Sequence, residues 1–404
     1  MLISLLELNT ASTSNISIVS EKDLYGDIGR SGDIFSGVLY IASPEYTNIP
    51  DDFCWVEVKR DGSIVEHCLD KVDGIDMVLE DVRYINVLLG IARYDTSWMP
   101  PGDSYIVIYN PVRGTWNIKY TISRNYFGNN VRRVDGFYIE TTSSSDLVSI
   151  VVRIQYQNGS IQWSLICFNI TKNDIQWLKL IPISKSSKIL DITVGSYDNF
   201  IALGYILRTD DNKRDVVIEV YDTNGELKNT TTRTLRDITA IKIFRVRCDS
   251  FAYISYVYVN NGVFNAYIIS LLSNKNGVSI SFRPWFTMQV PSDAYEFSFP
   301  TTILTEDPYE VYFVYSYKLG GIDKLFVGHV PFVFLSEKAK PIPATNLKHQ
   351  IYEFPTIWGG FAALMFLAKD KNLGVVGIGQ HPSKWGTGRI IVFEHKCESS
   401  ETGF

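Results

Sequence analysis

The chain has 404 residues and a formal net charge of −6, and 46% of its residues are hydrophobic and 13% aromatic. Lysine and arginine are dispersed along the sequence, which argues against the basic face that nucleic-acid binding requires. No apolar run approaches the roughly 20 residues needed to span a bilayer. The N-terminal apolar stretch contains Glu7 and has no basic residues before it, so neither a signal peptide nor a transmembrane segment is predicted.

A nearly continuous apolar strand pattern returns seven times along the chain. The start-to-start distances are 47, 63, 52, 52, 57 and 53 residues. The segments begin at Gly37, Tyr84, Leu147, Asn199, Phe251, Pro308 and Phe361. Such runs are typical of strands that are covered on both faces. A period near 50 residues without helical periodicity is typical of β-propeller blades.

Each repeat contains three further strand patterns, one before the apolar segment (strand A) and two after it (strands C and D). The A strands are predicted near Ile16–Val19 and at Ile75–Leu79, Val134–Glu140, Ile189–Val194, Ile238–Val246, Tyr295–Phe299 and Ile351–Phe354. We therefore expect an all-β, seven-bladed β-propeller of four-stranded antiparallel blades, forming a single domain over residues 1–404. The predicted blades cover about 10–72, 73–130, 131–185, 186–235, 236–290, 291–344 and 345–404.

An open ring would leave an unpaired strand edge, which favours aggregation. Residues 1–8 or the final strand, Arg389–Lys396, are candidates to complete the last blade. We expect the ring to close by pairing a strand from one terminus with a strand from the other.

The C–D hairpins resemble the closing half of a kelch repeat, in which a strand ends in Tyr-Asp or Tyr-Asn and a Trp follows. Tyr109-Asn110 precedes Trp116, Asn169 precedes Trp177, and Tyr221-Asp222 repeats the pattern. The resemblance covers two or three blades and implies the propeller architecture. The paired glycines of kelch repeats are absent there, so no functional residue is carried over.

Cys54 and Cys68 flank a predicted hairpin, and their relation depends on its turn. A two-residue turn at Asp61-Gly62 places them on opposite faces, whereas a three-residue loop with Gly62 in the left-handed region places them directly opposite each other. The second geometry allows a disulfide, but we expect two small buried hydrophobic residues.

The loops on one face of the ring carry the residues that we predict for binding. The B→C loop of the second blade contributes Trp98, and the following D→A connection contributes Arg124, Tyr126, Arg132 and Arg133. Exposed Trp, Tyr and Arg are enriched at binding hot spots. The competing interpretation is that Trp98 folds over the blade edge and the arginines are merely solvated. A separate loop contributes His381 and Trp385.

Motifs for nucleophilic, phosphate-binding and metal-dependent catalysis are missing from the sequence. The acidic segment 210–215 lacks calcium-binding spacing and is interpreted as a charged turn, so no metal site or cofactor is predicted. A propeller glycosidase would need two facing carboxylates at the ring centre. Glu296 and Glu353 occupy equivalent positions in a repeated Tyr-Glu-Phe phrase, which places them on adjacent inner strands near the channel. Repeat homology alone accounts for that equivalence.

The sequence therefore favours a non-enzymatic binding or assembly module that docks on a protein or a glycan. A subunit of a larger particle, such as a virion or cell envelope, is consistent with this expectation, as is an extracellular or surface location. Sequons at Asn15, Asn158, Asn169 and Asn229 are compatible with it. Few Gln, Met, Cys and His residues hint at thermostability. The alternative is a carbohydrate-active propeller hydrolase with carboxylates at the channel mouth.

Overall fold

A computed structural model describes seventeen segments of the chain. These are residues 15–24, 32–43, 53–94, 102–142, 146–183, 187–197, 199–209, 212–248, 251–274, 277–298, 302–305, 310–331, 342–343, 348–354, 362–366, 373–378 and 389–396. The described residues contain no α-helix and one turn of 3-10 helix, Arg124–Phe127. No helical segment in this part of the chain has the length and apolar character needed to cross a membrane.

The strands follow one another in short antiparallel hairpins. They are β1 (Asn15–Asp23), β2 (Gly32–Phe35), β3 (Val38–Ala42), β4 (Phe53–Val58), β5 (Ile64–Leu69), β6 (Met77–Ile85), β7 (Val87–Tyr94), β8 (Ser104–Asn110), β9 (Thr115–Ile122), β10 (Val131–Thr141), β11 (Leu147–Tyr156), β12 (Ile161–Asn169), β13 (Asp174–Leu180), β14 (Lys188–Tyr197), β15 (Phe200–Arg208), β16 (Lys213–Asp222), β17 (Leu227–Arg236), β18 (Ala240–Cys248), β19 (Phe251–Asn260), β20 (Val263–Asn274), β21 (Gly277–Gln289), β22 (Tyr295–Ser298), β23 (Thr302–Thr305), β24 (Glu310–Leu319), β25 (Ile322–Pro331), β26 (Ile342–Pro343), β27 (Lys348–Phe354), β28 (Ala362–Phe366), β29 (Leu373–Ile378) and β30 (Arg389–Lys396).

These strands form six four-stranded antiparallel sheets and one six-stranded sheet. The four-stranded sheets have the orders β2-β3-β4-β5, β6-β7-β8-β9, β10-β11-β12-β13, β14-β15-β16-β17, β22-β24-β25-β27 and β28-β29-β30-β1. The six-stranded sheet is built on β18-β19-β20-β21, with β23 added in parallel to β18 and β26 added in parallel to β21.

The first strands of successive sheets contact one another: β2 contacts β6, β6 contacts β10, β10 contacts β14, and β14 contacts β18. The sheets therefore radiate from a common centre, with their first strands innermost, which is the arrangement of propeller blades. This confirms an all-β, propeller-like fold of repeated four-stranded sheets.

The hydrophobic cores lie between adjacent sheets. Between the β2–β5 and β6–β9 sheets, for example, Trp116 packs against Phe53 and Trp55 with ring centroids 5.7 and 6.1 Å apart. Apolar residues on both faces of β7, β11 and β15 are buried in these layers. Burial on both faces explains why the second strands read as continuous apolar runs rather than as alternating patterns.

The two ends of the chain meet in one sheet. Strand β1 pairs antiparallel with β30 from Asn15–Lys396 to Asp23–Arg389. This confirms closure by pairing of the termini. The closing N-terminal strand is Asn15–Asp23, and residues 1–8 lie outside the described residues.

Two predicted A strands were wrong. Ile16–Val19 belongs to β1, and β2 is the innermost strand of its sheet instead. Ile351–Phe354 belongs to β27, which pairs with β25 at the outer edge of the β22-β24-β25-β27 sheet. The local sequence fits a strand in both cases, but the pairing partner decides its place in the sheet.

The hairpin of β4 and β5 has the three-residue loop. The Lys59 N–H donates to the Ser63 carbonyl at 2.9 Å, and Gly62 has a φ of 85°. Cys54 lies directly opposite Cys68, and the two form a disulfide. The expectation of two unlinked cysteines was therefore wrong, because the loop adopts the register that aligns them. Cys167 is a buried free cysteine.

Candidate functional site

A buried cluster of charged side chains links the innermost strands of three sheets. Glu140 on β10 faces Arg83 of β6 and Arg245 of β18, and Arg83 also contacts Asp81 at 3.1 Å. The Arg83 Nε lies 3.6 Å from Glu140 Oε2, the same oxygen that meets Arg245. All four side chains are at least 95% buried. The cluster therefore occupies the ring centre on these three strands.

The oxygens of Glu140 are engaged by protein groups. Oε1 accepts from the Thr141 N–H at 3.0 Å and from its hydroxyl at 3.2 Å, and Oε2 faces the two guanidinium groups. A general acid or base must have an oxygen within reach of substrate. In this geometry both oxygens of Glu140 face protein groups, which is the arrangement of a buried ion pair.

Strand β23 covers the inner edge of β18. Its four residues pair in parallel with Arg245–Cys248, and it also contacts β24 and β28. An inner edge that carries an additional strand is not open to solvent along those residues. This part of the centre is thus filled by main chain as well as by the charge cluster.

Aspartates on the innermost strands join one sheet to the next. Asp33 accepts from the Tyr84 N–H at 3.0 Å, Asp81 from that of Ile139 at 3.0 Å, and Asp191 from that of Ile243 at 2.9 Å. Asp135, which lies between Asp81 and Asp191 in this series, instead accepts from Arg133 and Arg153. This repeat was not predicted, although the four aspartates recur at spacings of 48, 54 and 56 residues.

The two strands that carry the predicted carboxylate pair are not neighbours. Glu296 lies on β22 and Glu353 on β27, at opposite edges of one sheet with β24 and β25 between them. Three strand spacings put their backbones roughly 14 Å apart. The expectation that both residues lie on adjacent inner strands was wrong.

The connection from β9 to β10 forms an ordered rim. The Ser123 hydroxyl accepts from the Asn125 N–H and caps the 3-10 helix, and the Arg124 N–H donates to Asp103 at 2.9 Å. The hydroxyls of Tyr120 and Tyr126 lie 2.6 Å apart. Burial raises the pKa of Tyr120, and its hydrogen bond to Tyr126 raises it further. Tyr126 is 53% exposed, so an aromatic edge is presented to solvent on a fixed support.

A polar pocket of about 540 Å³ lies beside this rim, between the β9–β10 connection and the turn from β11 to β12. We call it the rim pocket. Its lining residues are Phe127, Gly128, Asn129, Asn130, Tyr156, Gln157, Asn158 and Ser160. None of these eight residues is charged, so the lining of the rim pocket contains no carboxyl group.

The predicted binding residues fall into three groups. Tyr126 and Arg132 are exposed next to the rim pocket, and Arg124 is half-buried in the 3-10 helix. Arg133 pairs with Asp135 and donates to the Tyr94 carbonyl at 3.3 Å, which ties the rim to the neighbouring sheet. Trp98, His381 and Trp385 lie outside the described residues.

The amides and rings of the rim pocket were not predicted as a unit. The β9–β10 connection and the turn at Asn158 lie in different parts of the sequence, and nothing local indicates that they touch. The Gln157 N–H donates to the Asn130 carbonyl at 2.9 Å and joins the two loops. The sequence contained one indication of this contact, because B→C and D→A loops are expected on the same face of a propeller.

No known protein family matches the chain, and no curated protein sequence is significantly similar to it. Solved structures with similar folds include Raptor of Chaetomium thermophilum, with a TM-score of 0.47 and 10% identity over 96% of this chain. The chain spans 29% of that Raptor chain.

Two further similar structures match over most of their length. The β-propeller domain of the Trilobed protease from Pyrococcus furiosus has a TM-score of 0.44 and 9% identity, covering 92% of this chain and 96% of that one. The polysaccharide lyase Uly1 has a TM-score of 0.45 and 9% identity, covering 92% and 91%. At these identities the likeness concerns the fold alone.

Proposed function

We propose that this protein is a non-enzymatic binding module, a seven-bladed propeller that docks a protein or a glycan on the face that carries the rim pocket. The observation that carries the proposal is the distribution of carboxylates. At the ring centre Glu140 and Asp81 are ion-paired and buried, and the rim pocket is lined by uncharged residues. Most glycoside hydrolases use carboxyl groups that reach the substrate, whereas docking surfaces are enriched in exposed aromatic and arginine side chains, which Tyr126 and Arg132 supply.

The seven-blade count rests on the seven sequence repeats, and the grouping of the described strands into seven sheets supports it. An extracellular or surface location is part of the proposal. The Cys54–Cys68 disulfide supports it, because disulfides persist in oxidising compartments and are rare in the reducing cytosol.

A direct assay separates binding from hydrolysis. The purified full chain is incubated with a panel of polysaccharides and aryl glycosides, and released reducing ends or phenols are measured. In parallel, the chain is applied to a glycan array and to a displayed peptide library. We expect retention on one of the two surfaces and no release above the buffer control.

Two double variants test whether the rim is responsible for that retention. Tyr126→Ala with Arg132→Ala removes two exposed side chains next to the rim pocket, and we expect retention to fall about tenfold or more. Tyr295→Ala with Arg236→Ala removes a matched exposed pair elsewhere and should leave retention unchanged. Release of product that scales with protein concentration would overturn the proposal in favour of the hydrolase.

A further inference from the structure

We infer that the rim pocket binds an uncharged, hydroxyl-rich ligand, namely a neutral saccharide. The inference rests on the proposed function and names the ligand class of the same surface. It follows from three properties of the rim pocket: the chemistry of its polar groups, the apolar faces beside them, and the rigidity of its walls.

The polar groups are side-chain amides. Asn129, Asn130 and Gln157 are exposed and make no side-chain hydrogen bond within the described part of the chain. Asn158 differs, because its Oδ1 accepts from the Ser160 N–H at 3.0 Å and from the Ser160 hydroxyl at 2.7 Å. A side-chain amide offers both donors and an acceptor. Neighbouring sugar hydroxyls each donate and accept, so a set of amides matches them.

The lining excludes the main charged ligands. Phosphates and carboxylates are commonly recognised by Arg or Lys side chains, and protein sites for hard cations commonly include carboxylate oxygens beside carbonyl oxygens. Neither type of residue lines the rim pocket. A neutral ligand remains, and the volume of about 540 Å³ lies within the roughly 300–1,000 Å³ usual for small-molecule sites.

Two rings provide apolar surface beside the amides. Phe127 is partly buried against the core between the β6–β9 and β10–β13 sheets, and so is Tyr156. Their inner faces are therefore held by packing, while both contribute to the lining of the rim pocket. A pyranose or furanose ring has an apolar C–H face as well as hydroxyl edges. The aromatic rings thus suit the apolar C–H face of a sugar, and the neighbouring amides suit its hydroxyl groups.

The walls are fixed by main-chain hydrogen bonds before any ligand arrives. The Gln157 N–H donates to Asn130 at 2.9 Å, the Tyr156 N–H to Ser160 at 2.9 Å, and the Val131 N–H to Gly128 at 3.3 Å. Gly128 has a φ of 110°, a backbone conformation open chiefly to glycine. Preorganised walls reduce the entropy cost of binding.

Saturation-transfer NMR tests the inference on the intact chain. The probes are a panel of neutral mono- and disaccharides in gluco, galacto, manno and arabino configurations. We expect transfer to at least one of them, with the apparent Kd raised at least tenfold by Asn130→Ala with Gln157→Ala. Gln289→Ala, which removes an exposed amide at the end of β21, is the matched control and should leave the Kd unchanged. Thermal unfolding verifies that the double variant is folded.

The outcomes separate this inference from the proposed function. Absence of transfer to every saccharide overturns the saccharide inference, as does transfer that the double variant leaves unaltered, whereas the proposed function survives if the peptide library retains the protein. New anomeric signals from a cleaved disaccharide overturn the non-enzymatic proposal. In that case, loss of transfer in the double variant would still support the rim pocket as the sugar site.

Discussion

Glu140 is held by two arginines that come from sheets on either side of it in the chain, Arg83 on β6 and Arg245 on β18. A buried carboxylate of this kind has little effect on stability when its charge is balanced, but its removal leaves the partner charges uncompensated. Here the partners are two buried guanidinium groups at the ring centre. The cluster therefore ties strands that are far apart in sequence to one another.

Replacing Glu140 tests this account. We expect Glu140→Ala to lower the free energy of unfolding by about 3–5 kcal/mol, since it removes a buried carboxylate that faces both Arg245 and Arg83, although Arg83 keeps its contact with Asp81. Urea unfolding followed by tyrosine and tryptophan fluorescence measures the loss. Glu226→Ala is the control, because Glu226 is 72% exposed in its pair with Lys228, and its effect should stay within about 0.5 kcal/mol. A similar small effect at Glu140 would contradict the structural role.

The residues at the ring centre and in the rim pocket were the hardest to predict. Asp33, Asp81 and Asp191 act on the backbone of a neighbouring sheet, at sequence separations of 51, 58 and 52 residues. Hydrophobic periodicity reports which face of a strand is buried and carries no information about such partners. The recurrence of the aspartates was visible in the sequence, but their hydrogen-bond acceptor role required the packing of the innermost strands.

The turn between β4 and β5 determines whether Cys54 and Cys68 lie opposite each other. Gly62 in the left-handed region selects the three-residue loop, and that loop aligns Cys54 with Cys68. The sequence defined both turn geometries and the consequence of each, but it did not choose between them. Strand identity was easier to predict, because burial on both faces produces apolar runs such as those of β11 and β15.

Reduction of the Cys54–Cys68 disulfide should lower the free energy of unfolding by a predictable amount. The disulfide joins cysteines 14 residues apart, and closing a loop of that size stabilises a fold by about 3 kcal/mol. Cys68 is exposed, so a reductant can reach the bond. We expect dithiothreitol to lower the free energy of unfolding of the wild type by about this amount. Cys54→Ala with Cys68→Ala should start from the lower value and be insensitive to the reductant; an insensitive wild type would show that the bond contributes nothing.

The whole ring depends on one pairing of the chain's two ends. Strand β1 is the fourth strand of the sheet that contains β28, β29 and β30. Closure of this type was predicted from the need to protect a sheet edge. Strand β1 was not identified as the closing strand, because a strand pattern near the N-terminus fits the inner strand of the first sheet equally well.

Deleting residues 1–23 removes β1 and exposes the edge of β30. We expect the Tm to fall by about 5–10 °C and the protein to aggregate at lower concentration than the full chain. A synthetic peptide of residues 15–23 should restore the Tm in a concentration-dependent way, whereas a scrambled peptide should not. An unchanged Tm in the deleted chain would mean that the β1–β30 pairing is dispensable.

The β1–β30 pairing also sets an order of events during synthesis. The two strands are separated by residues 24–388, so a ribosome that adds 5–20 residues per second makes β30 about 20 to 70 seconds after β1. Throughout that interval β1 has no partner, and the last sheet cannot form. A translation product that stops before β30 would keep an unpaired strand at each end of its incomplete ring. A chain interrupted before β30 therefore cannot form the closing pair, whereas a chain that includes β30 can.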